Sequence, residues 1–471
     1  MTLVDGLPQP QRGRAVLVIM LGITMAVMDG SIVNLALPGI ARELNAPASQ
    51  AIWVVNAYQI ASLVMLLPLA ALGDRLGYRR VSLVGMLLFV LSSVAAMLAT
   101  SLPALTAARA LQGLGAAGIM SVNTALVRLI YPSARLGRGM AINSMVVATS
   151  AMAGPAVAAG ILSVASWPWL FALNVPLGLL TLWMGRRALP ANPPRTAAAP
   201  QFSLIDVLLN ILMFTLVFIG AEQLGVRGEA AQRASPLGWT LLGAGVAVGV
   251  VYLRRQWKLA APLFPLDLLR IPVFALSMAS SLGAFCAQML AFISLPFLLL
   301  EVQGRSHMQA GLLLTAWPLA TVAVAPIAGR LIGRYPAGWL GAIGMGVFAT
   351  GLLALGWLPD QPSGMDMAWR LALCGAGFAL FQSPNNHTIV TSAPLHRSGA
   401  ASGMLGTARL TGQTLGAVML AAIYAVWNQH DGQGEMIALW LAAGCALMAG
   451  VSSSLRVRSG MLPAPSSMPP P

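Results

Sequence analysis

Residues 113–137 read GLGAAGIMSVNTALVRLIYPSARLG, and residues 375–399 read GAGFALFQSPNNHTIVTSAPLHRSG. Gly113, Gly115, Ser121, Asn123, Pro132, Arg135 and Gly137 recur, without a gap, as Gly375, Gly377, Ser383, Asn385, Pro394, Arg397 and Gly399. Further on, Gly154 recurs at the same spacing as Gly416. A chain with 48 glycines supplies a few such matches by chance, but not an ungapped set crossing two apolar segments and their loop. The chain is therefore read as a duplication.

Composition says where the duplicated unit folds. Of 471 residues 58% are hydrophobic and 8% charged, with mean hydropathy +0.79. A soluble domain carries about 25% charged residues, so an integral membrane protein is expected. Fourteen apolar spans are predicted, near 15–38, 51–72, 81–100, 104–127, 139–162, 168–186, 203–224, 236–253, 272–300, 309–329, 338–358, 369–387, 399–424 and 436–455. The repeat maps the fourth span onto the twelfth, hence the first six onto the last six, and leaves the seventh and eighth over. An even-numbered repeat keeps its orientation, giving two parallel halves suited to rocking about a central site. The fold class is thus an all-α polytopic membrane protein, two six-helix repeats plus two extra central helices. The divisions are 1–187 (first bundle), 188–271 (linker and extra helices), 272–456 (second bundle) and 457–471 (a Pro- and Ser-rich tail expected to be disordered). Residues 190–200, rich in Pro and Ala, read as a flexible connection.

The net charge of +14 does not point to nucleic acid. Arg12, Arg14, Arg75, Arg79, Arg80, Arg128, Arg135, Arg138, Arg186, Arg187, Arg254, Arg255 and Lys258 all fall on one set of alternate connections. The opposite set has only Arg42, Arg227, Arg233, Arg305 and Arg370. This asymmetry is the positive-inside pattern and predicts cytoplasmic termini in an inner membrane. Arg12 and Arg14 ahead of the first span resemble a signal peptide, but the span is too long for one, and it is read as a retained helix. Cys286, Cys374 and Cys445 lie in apolar stretches with no metal-ligand spacing and read as core residues.

Against this background Asp29 stands out, alone among apolar residues from Ala15 to Pro38. An ionised carboxylate at the centre of a membrane helix costs about 2.5–3.5 kcal/mol on insertion scales, which makes it a functional candidate. The alternative is a polar helix-packing contact. Arg109 lies at similar depth in its own span, so the two can pair. Between the second and third spans the chain reads Gly73-Asp74-Arg75-Leu76-Gly77-Tyr78-Arg79-Arg80. Gly73 and Gly77 allow a tight turn, Asp74 can accept bonds from helix N-terminal amides, and Arg75, Arg79 and Arg80 hold the loop at the cytoplasmic face. Gly154-Pro155 marks close packing and a bend. Asn34, Asn56, Tyr58, Gln59, Gln112, Asn123, Gln288 and Arg409 are candidates to line a central cavity, each with interhelical bonding as the alternative. Arg409 has no counterpart in the repeat and equally suits backbone carbonyls as partners. Glu222 is favoured as peripheral, His387 as structural, and most of the 25 methionines as packing.

Together the motifs resemble the major facilitator superfamily, in particular its fourteen-helix drug:proton antiporter branch. The resemblance runs from about Val16 to Leu455. Met28-Asp29-Gly30-Ser31-Ile32-Val33-Asn34-Leu35-Ala36-Leu37-Pro38 looks like the branch's first-helix motif, and Trp169-Leu170-Phe171-Ala172-Leu173-Asn174-Val175-Pro176 like its sixth-helix hallmark. The Asp74, Arg109 and Gly154-Pro155 segments look like the loop, proton-relay and antiporter motifs. Departures are Ala70 for the loop's first glycine, Tyr78 for a basic residue, and Ser150 and Ala158-Ala159 for glycines of the antiporter motif.

The resemblance implies a proton-coupled exporter of small lipophilic or cationic compounds, embedded in the lipid bilayer and acting as a monomer. Asp29 and Arg109 would couple the proton, and the proton gradient would replace any cofactor. No metal site and no phosphate-binding loop is present in the sequence. A specific metabolite is the alternative cargo. An enzyme would need a nucleophile–base set, and no HExxH, GxSxG or histidine pair exists. A sensor of this fold would need a soluble output domain, and the connections are short.

Overall fold

A computed structural model describes residues 6–45, 51, 53–191, 203–225, 236–257, 259, 262–305, 307–359, 362–427 and 432–459. Residues 460–471 of the expected tail, most of the 190–200 connection and Lys258 lie outside them, as do the side chains of Asn34, Pro155 and Glu222, while residues 457–459, expected in the tail, complete the last helix. Among the described residues the chain is helical, with no strand beyond one isolated bridge at Ile332 and Tyr335. In lipid each backbone polar group needs a partner within the chain, and the helix supplies one locally.

The long helices are α1 (Gln11–Ile32), α2 (Trp53–Leu76), α3 (Tyr78–Met97), α4 (Leu102–Ile130), α5 (Leu136–Leu162), α6 (Asn174–Ala188), α7 (Leu204–Gly225) and α8 (Pro236–Gln256). They continue as α9 (Pro272–Phe297), α10 (Ala316–Leu331), α11 (Ala337–Gly356), α12 (Gly364–Ser392), α13 (Ser398–Val426) and α14 (Gln433–Ser459). Ten helical stretches among the described residues are long and apolar enough to cross a membrane. The protein is therefore a multi-pass membrane protein.

The chain forms two compact units, one of Met1–Leu266 with Pro394–Leu410, the other of Asp267–Ala393 with Thr411–Pro471. In the first unit α4 packs against α2 and α3, and α1 against α5 and α6. The approach of α4 to α2 is close because Gly113 faces backbone: a Cβ there would lie 2.4 Å from the Tyr58 carbonyl oxygen. In the second unit α12 packs against α10 and α11, and a Cβ at Gly375 would lie 2.0 Å from the Trp317 carbonyl oxygen. The Ser62 hydroxyl donates to the Gly113 carbonyl at 3.1 Å, and the Thr321 hydroxyl donates to the Gly375 carbonyl at 3.2 Å. Ser101 caps α4 by accepting from the Ala104 amide, and Ser363 caps α12 by accepting from the Asp366 amide. Both helices end in a short 3-10 turn after a proline, Ser133–Arg135 after Pro132 and Leu395–Arg397 after Pro394. The glycine contacts, caps and 3-10 turns of the repeated helices thus recur in the second unit.

One local expectation is corrected. The loop after α2 turns at Gly77 alone, where φ is +105°. Gly73 stays helical, because its missing side chain admits α4: a Cβ there would lie 2.6 Å from Val122. The span expected at 168–186 is present as the apolar stretch Pro168–Ala188, with Leu173 in helical backbone between Pro168–Ala172 and α6.

A buried charge cluster and a capped helix

Asp29 sits near the end of α1 and Arg109 two turns into α4, and both side chains are fully buried. They form an ion pair through Oδ2 and a terminal guanidinium nitrogen. Two amides complete the carboxylate's shell: Gln112 donates to Oδ1 at 3.1 Å and Asn174 donates to the same oxygen at 2.7 Å. Gln112 is one helical turn beyond Arg109, accepts from it at 2.6 Å, and donates a second bond to Ser93 on α3 at 2.8 Å. The Arg109 Nε donates to the Val54 carbonyl at 3.1 Å. Its guanidinium carbon lies 4.3 Å from the Tyr58 ring centroid and 5.7 Å from that of Phe171. Tyr58 is fixed in turn, donating to the Ala26 carbonyl at 2.7 Å.

The arrangement has a plain electrostatic logic. A carboxylate and a guanidinium removed from water repay desolvation only when geometry is good and the remaining lone pairs are bonded. Here one oxygen is held by charge and the other by two amide donors, so the ionised form of Asp29 is accommodated inside the membrane. Protonating Asp29 would cancel the pair and leave Arg109 held only by Gln112, Val54 and the two aromatic faces.

The second unit has no such cluster. At the positions repeating Arg109 and Gln112 stand Leu371 and Cys374, both fully buried. Phe378 replaces Ala116, and its ring meets Phe285 at 5.5 Å and Phe348 at 5.8 Å, with Trp317 beyond at 5.3 Å from Phe348. Its buried charges among the described residues are Glu435 and Arg456, the latter held by Ser277 at 3.0 Å and Asn385 at 2.7 Å.

Asp74, at the end of α2, is buried and accepts from the amides of Gly399 at 2.8 Å and Ala400 at 3.0 Å. It caps the first turn of α13, not the helix that follows it in sequence. Tyr78, the residue standing in place of a basic one, donates to Asp74 at 2.7 Å and accepts from the Gly399 amide at 3.1 Å. Nearby, Arg128 donates to the Ser398 hydroxyl at 3.0 Å. Arg75 and Arg80 are exposed, and Arg79 donates to the Arg186 carbonyl.

The remaining candidates scatter. Gln112 belongs to the charge cluster. Asn123 is buried and donates to Asn143 at 2.8 Å. Asn56 is buried, Gln59 and Gln288 are half-buried, and Gly154 is buried in a helix that runs unbroken through it. Arg409 is half-buried with its Nε sealed from solvent and without an acceptor. Asn174 and Ser93 were not singled out as site residues. Asn174 lies in the quoted sixth-helix motif, whereas nothing local marks Ser93.

Buried ion chemistry on a duplicated helical membrane scaffold fits a membrane-embedded transporter of small molecules. The sequence profile of the Major Facilitator Superfamily matches residues 19–417, and the chain belongs to that family. Its members are transporters, not enzymes. The chain is 52% identical over 453 residues to the uncharacterized transporter YebQ of Escherichia coli strain K12, covering 96% of this chain and 97% of that one. It is 32% identical to the multidrug resistance protein Stp of Mycobacterium tuberculosis, covering 86% and 75%. It is 27% identical to the riboflavin transporter RibZ of Clostridioides difficile strain 630, covering 88% and 89%.

Proposed function

We propose that the protein is a fourteen-helix proton-coupled antiporter that exports small lipophilic compounds across the inner membrane, with cytoplasmic termini, as a monomer and without a cofactor. The observation that carries this is the sealed Asp29–Arg109 pair with its two amide donors. A proton taken by Asp29 dissolves the pair, and its release restores it, so a change of conformation can be exchanged for a change of charge. Cargo that is merely cationic draws no support from Asp29, because Arg109 already neutralises that carboxylate. The Asp74 cap on α13 suits a latch that the transport cycle breaks and remakes.

Stp, the multidrug relative, supports export of drug-like cargo. RibZ supports a second reading, in which the cargo is one specific metabolite. Inverted vesicles carrying Asp29→Asn test the coupling: substrate-induced proton release is expected to vanish, and release of wild-type size would remove Asp29 from the role. A deletion strain screened against dyes, biocides and metabolites separates the two cargo readings by the breadth of the sensitivity it acquires.

A further inference from the structure

Arg409 is a cation inside a membrane helix for which no acidic side chain among the described residues forms a pair. Its Nε is buried and finds no acceptor. Arginines more fully buried than the half-buried Arg409 differ. Arg109 has Asp29, and Arg456 has Ser277, Asn385 and the Ser453 carbonyl at 3.2 Å. A cation in low dielectric without a counter-charge is costly, and a chain retains one where something else brings the acceptor.

The packing of α13 shows where that acceptor would come from. Its first turns lie along α2 in the opposite direction. A Cβ at Gly399 would meet the Ala70 carbonyl at 2.7 Å, one at Gly403 the Ala70 side chain at 2.6 Å, and one at Gly406 the Leu66 side chain at 3.0 Å. The small residues end there, and one turn later the face carries Arg409. Continuing along α2 past Leu66 in the same antiparallel register leads to Ser62 and Tyr58, so the turn of α13 that carries Arg409 comes level with them. No hydrogen bond joins Arg409 to Tyr58, whose hydroxyl donates to the Ala26 carbonyl and whose ring faces Arg109. Arg409 therefore stands on the turn of α13 level with the stretch of α2 that carries Tyr58, whose ring lies against Arg109.

We propose that Arg409 is a cargo-recognition residue, and that it selects amphipathic molecules bearing a carboxylate or comparable oxyanion. The oxygen would accept from the Arg409 guanidinium, and the apolar body of the molecule would lie against Tyr58. This deepens the export reading by naming a cargo class, and rests on it only in taking the cargo to be a small amphiphile.

Binding tests it independently of coupling. The full-length protein in nanodiscs is titrated with 1-pyrenebutyrate and with 1-pyrenebutanol, its uncharged twin, following energy transfer from tryptophan and subtracting empty discs. The wild type is expected to prefer the carboxylate by about ten-fold or more, the worth of one hydrogen bond to a charged group. Arg409→Gln removes that preference and leaves the affinity for the alcohol unchanged. Arg409→Lys keeps the charge without the fork, and its preference falls by less. A wild type that binds both alike overturns the proposal, as does either variant with the wild-type preference. Failure of proton release in vesicles would sink the antiport reading and leave this preference in place.

Discussion

At the scale of single residues the protein is governed by how Asp29 is held. Its partners divide into charge, from Arg109, and orientation, from Gln112 and Asn174. Removing the charge is the harsher change. Arg109→Leu strands a carboxylate in the membrane, and breaking a buried pair from one side costs about 3–5 kcal/mol. The expected result is a sharp fall in folded protein recovered in detergent, relieved by the double variant Arg109→Leu with Asp29→Leu. Asn174→Leu deletes one donor to the carboxylate, worth about 1.5–3 kcal/mol, while the ion pair stays. We expect a lower thermal midpoint and reduced proton release per turnover in vesicles. Of this site the sequence discloses the charged pair, because an acid and a base at matching depth in apolar spans have few other partners. It hides the neutral members: Ser93 reads like any small residue of a membrane helix, and only the three-dimensional approach of α3 to α4 gives it a role.

At the scale of helices the duplication is built on glycine contacts that bring backbones together. A Cβ at Gly115 would lie 2.6 Å from the Phe89 amide, and one at Gly377 would lie 2.4 Å from the Phe348 amide. Gly115→Val and Gly377→Val should therefore destabilise alike, by the 1–3 kcal/mol typical of an overpacked core or more. Paired thermal unfolding curves check this, and a variant that melts like the wild type would show its helix contact to be dispensable. This part of the fold was legible because glycine at fixed spacing leaves a signature that side chains of any other kind blur. The capping contact was only half legible. Asp74 is the right chemistry for a helix N-terminus, but nothing local says that the helix is α13, more than three hundred residues away. Gly399 supplies the check, since a Cβ there would lie 2.4 Å from the Asp74 carboxylate. Gly399→Ala should uncouple the cap and reduce transport while the isolated helices persist, measured as lost efflux with unchanged far-ultraviolet dichroism.

At the scale of the whole molecule the informative feature is the pair α7–α8, which the repeat leaves without a counterpart. It is not a loose appendage. Asn210 on α7 donates to the Val64 carbonyl of α2 at 2.7 Å, and Asp206 closes the pair through Arg255 on α8 at 2.6 Å. Gln256, the last residue of α8, accepts from the Leu263 amide at 2.6 Å and so fixes the connector that follows. The Pro262 carbonyl of that connector accepts from Arg397 at 3.2 Å, two residues before the amide that Asp74 caps. A line of bonds thus runs from the extra helices to the cap on α13, and both of its ends rest on α2. Such a brace favours the capped arrangement by holding the turn that precedes α13. Gln256→Leu keeps the size of the side chain and removes the acceptor that fixes Leu263, so the capped arrangement should loosen. The measure is maleimide labelling of Ala400→Cys in inverted vesicles, with Cys286, Cys374 and Cys445 replaced. Labelling is expected to rise about five-fold, equivalent to roughly 1 kcal/mol of the cap's stability. A rate equal to that of the parent that keeps Gln256 would mean that α7 and α8 pack beside the cap without bearing on it.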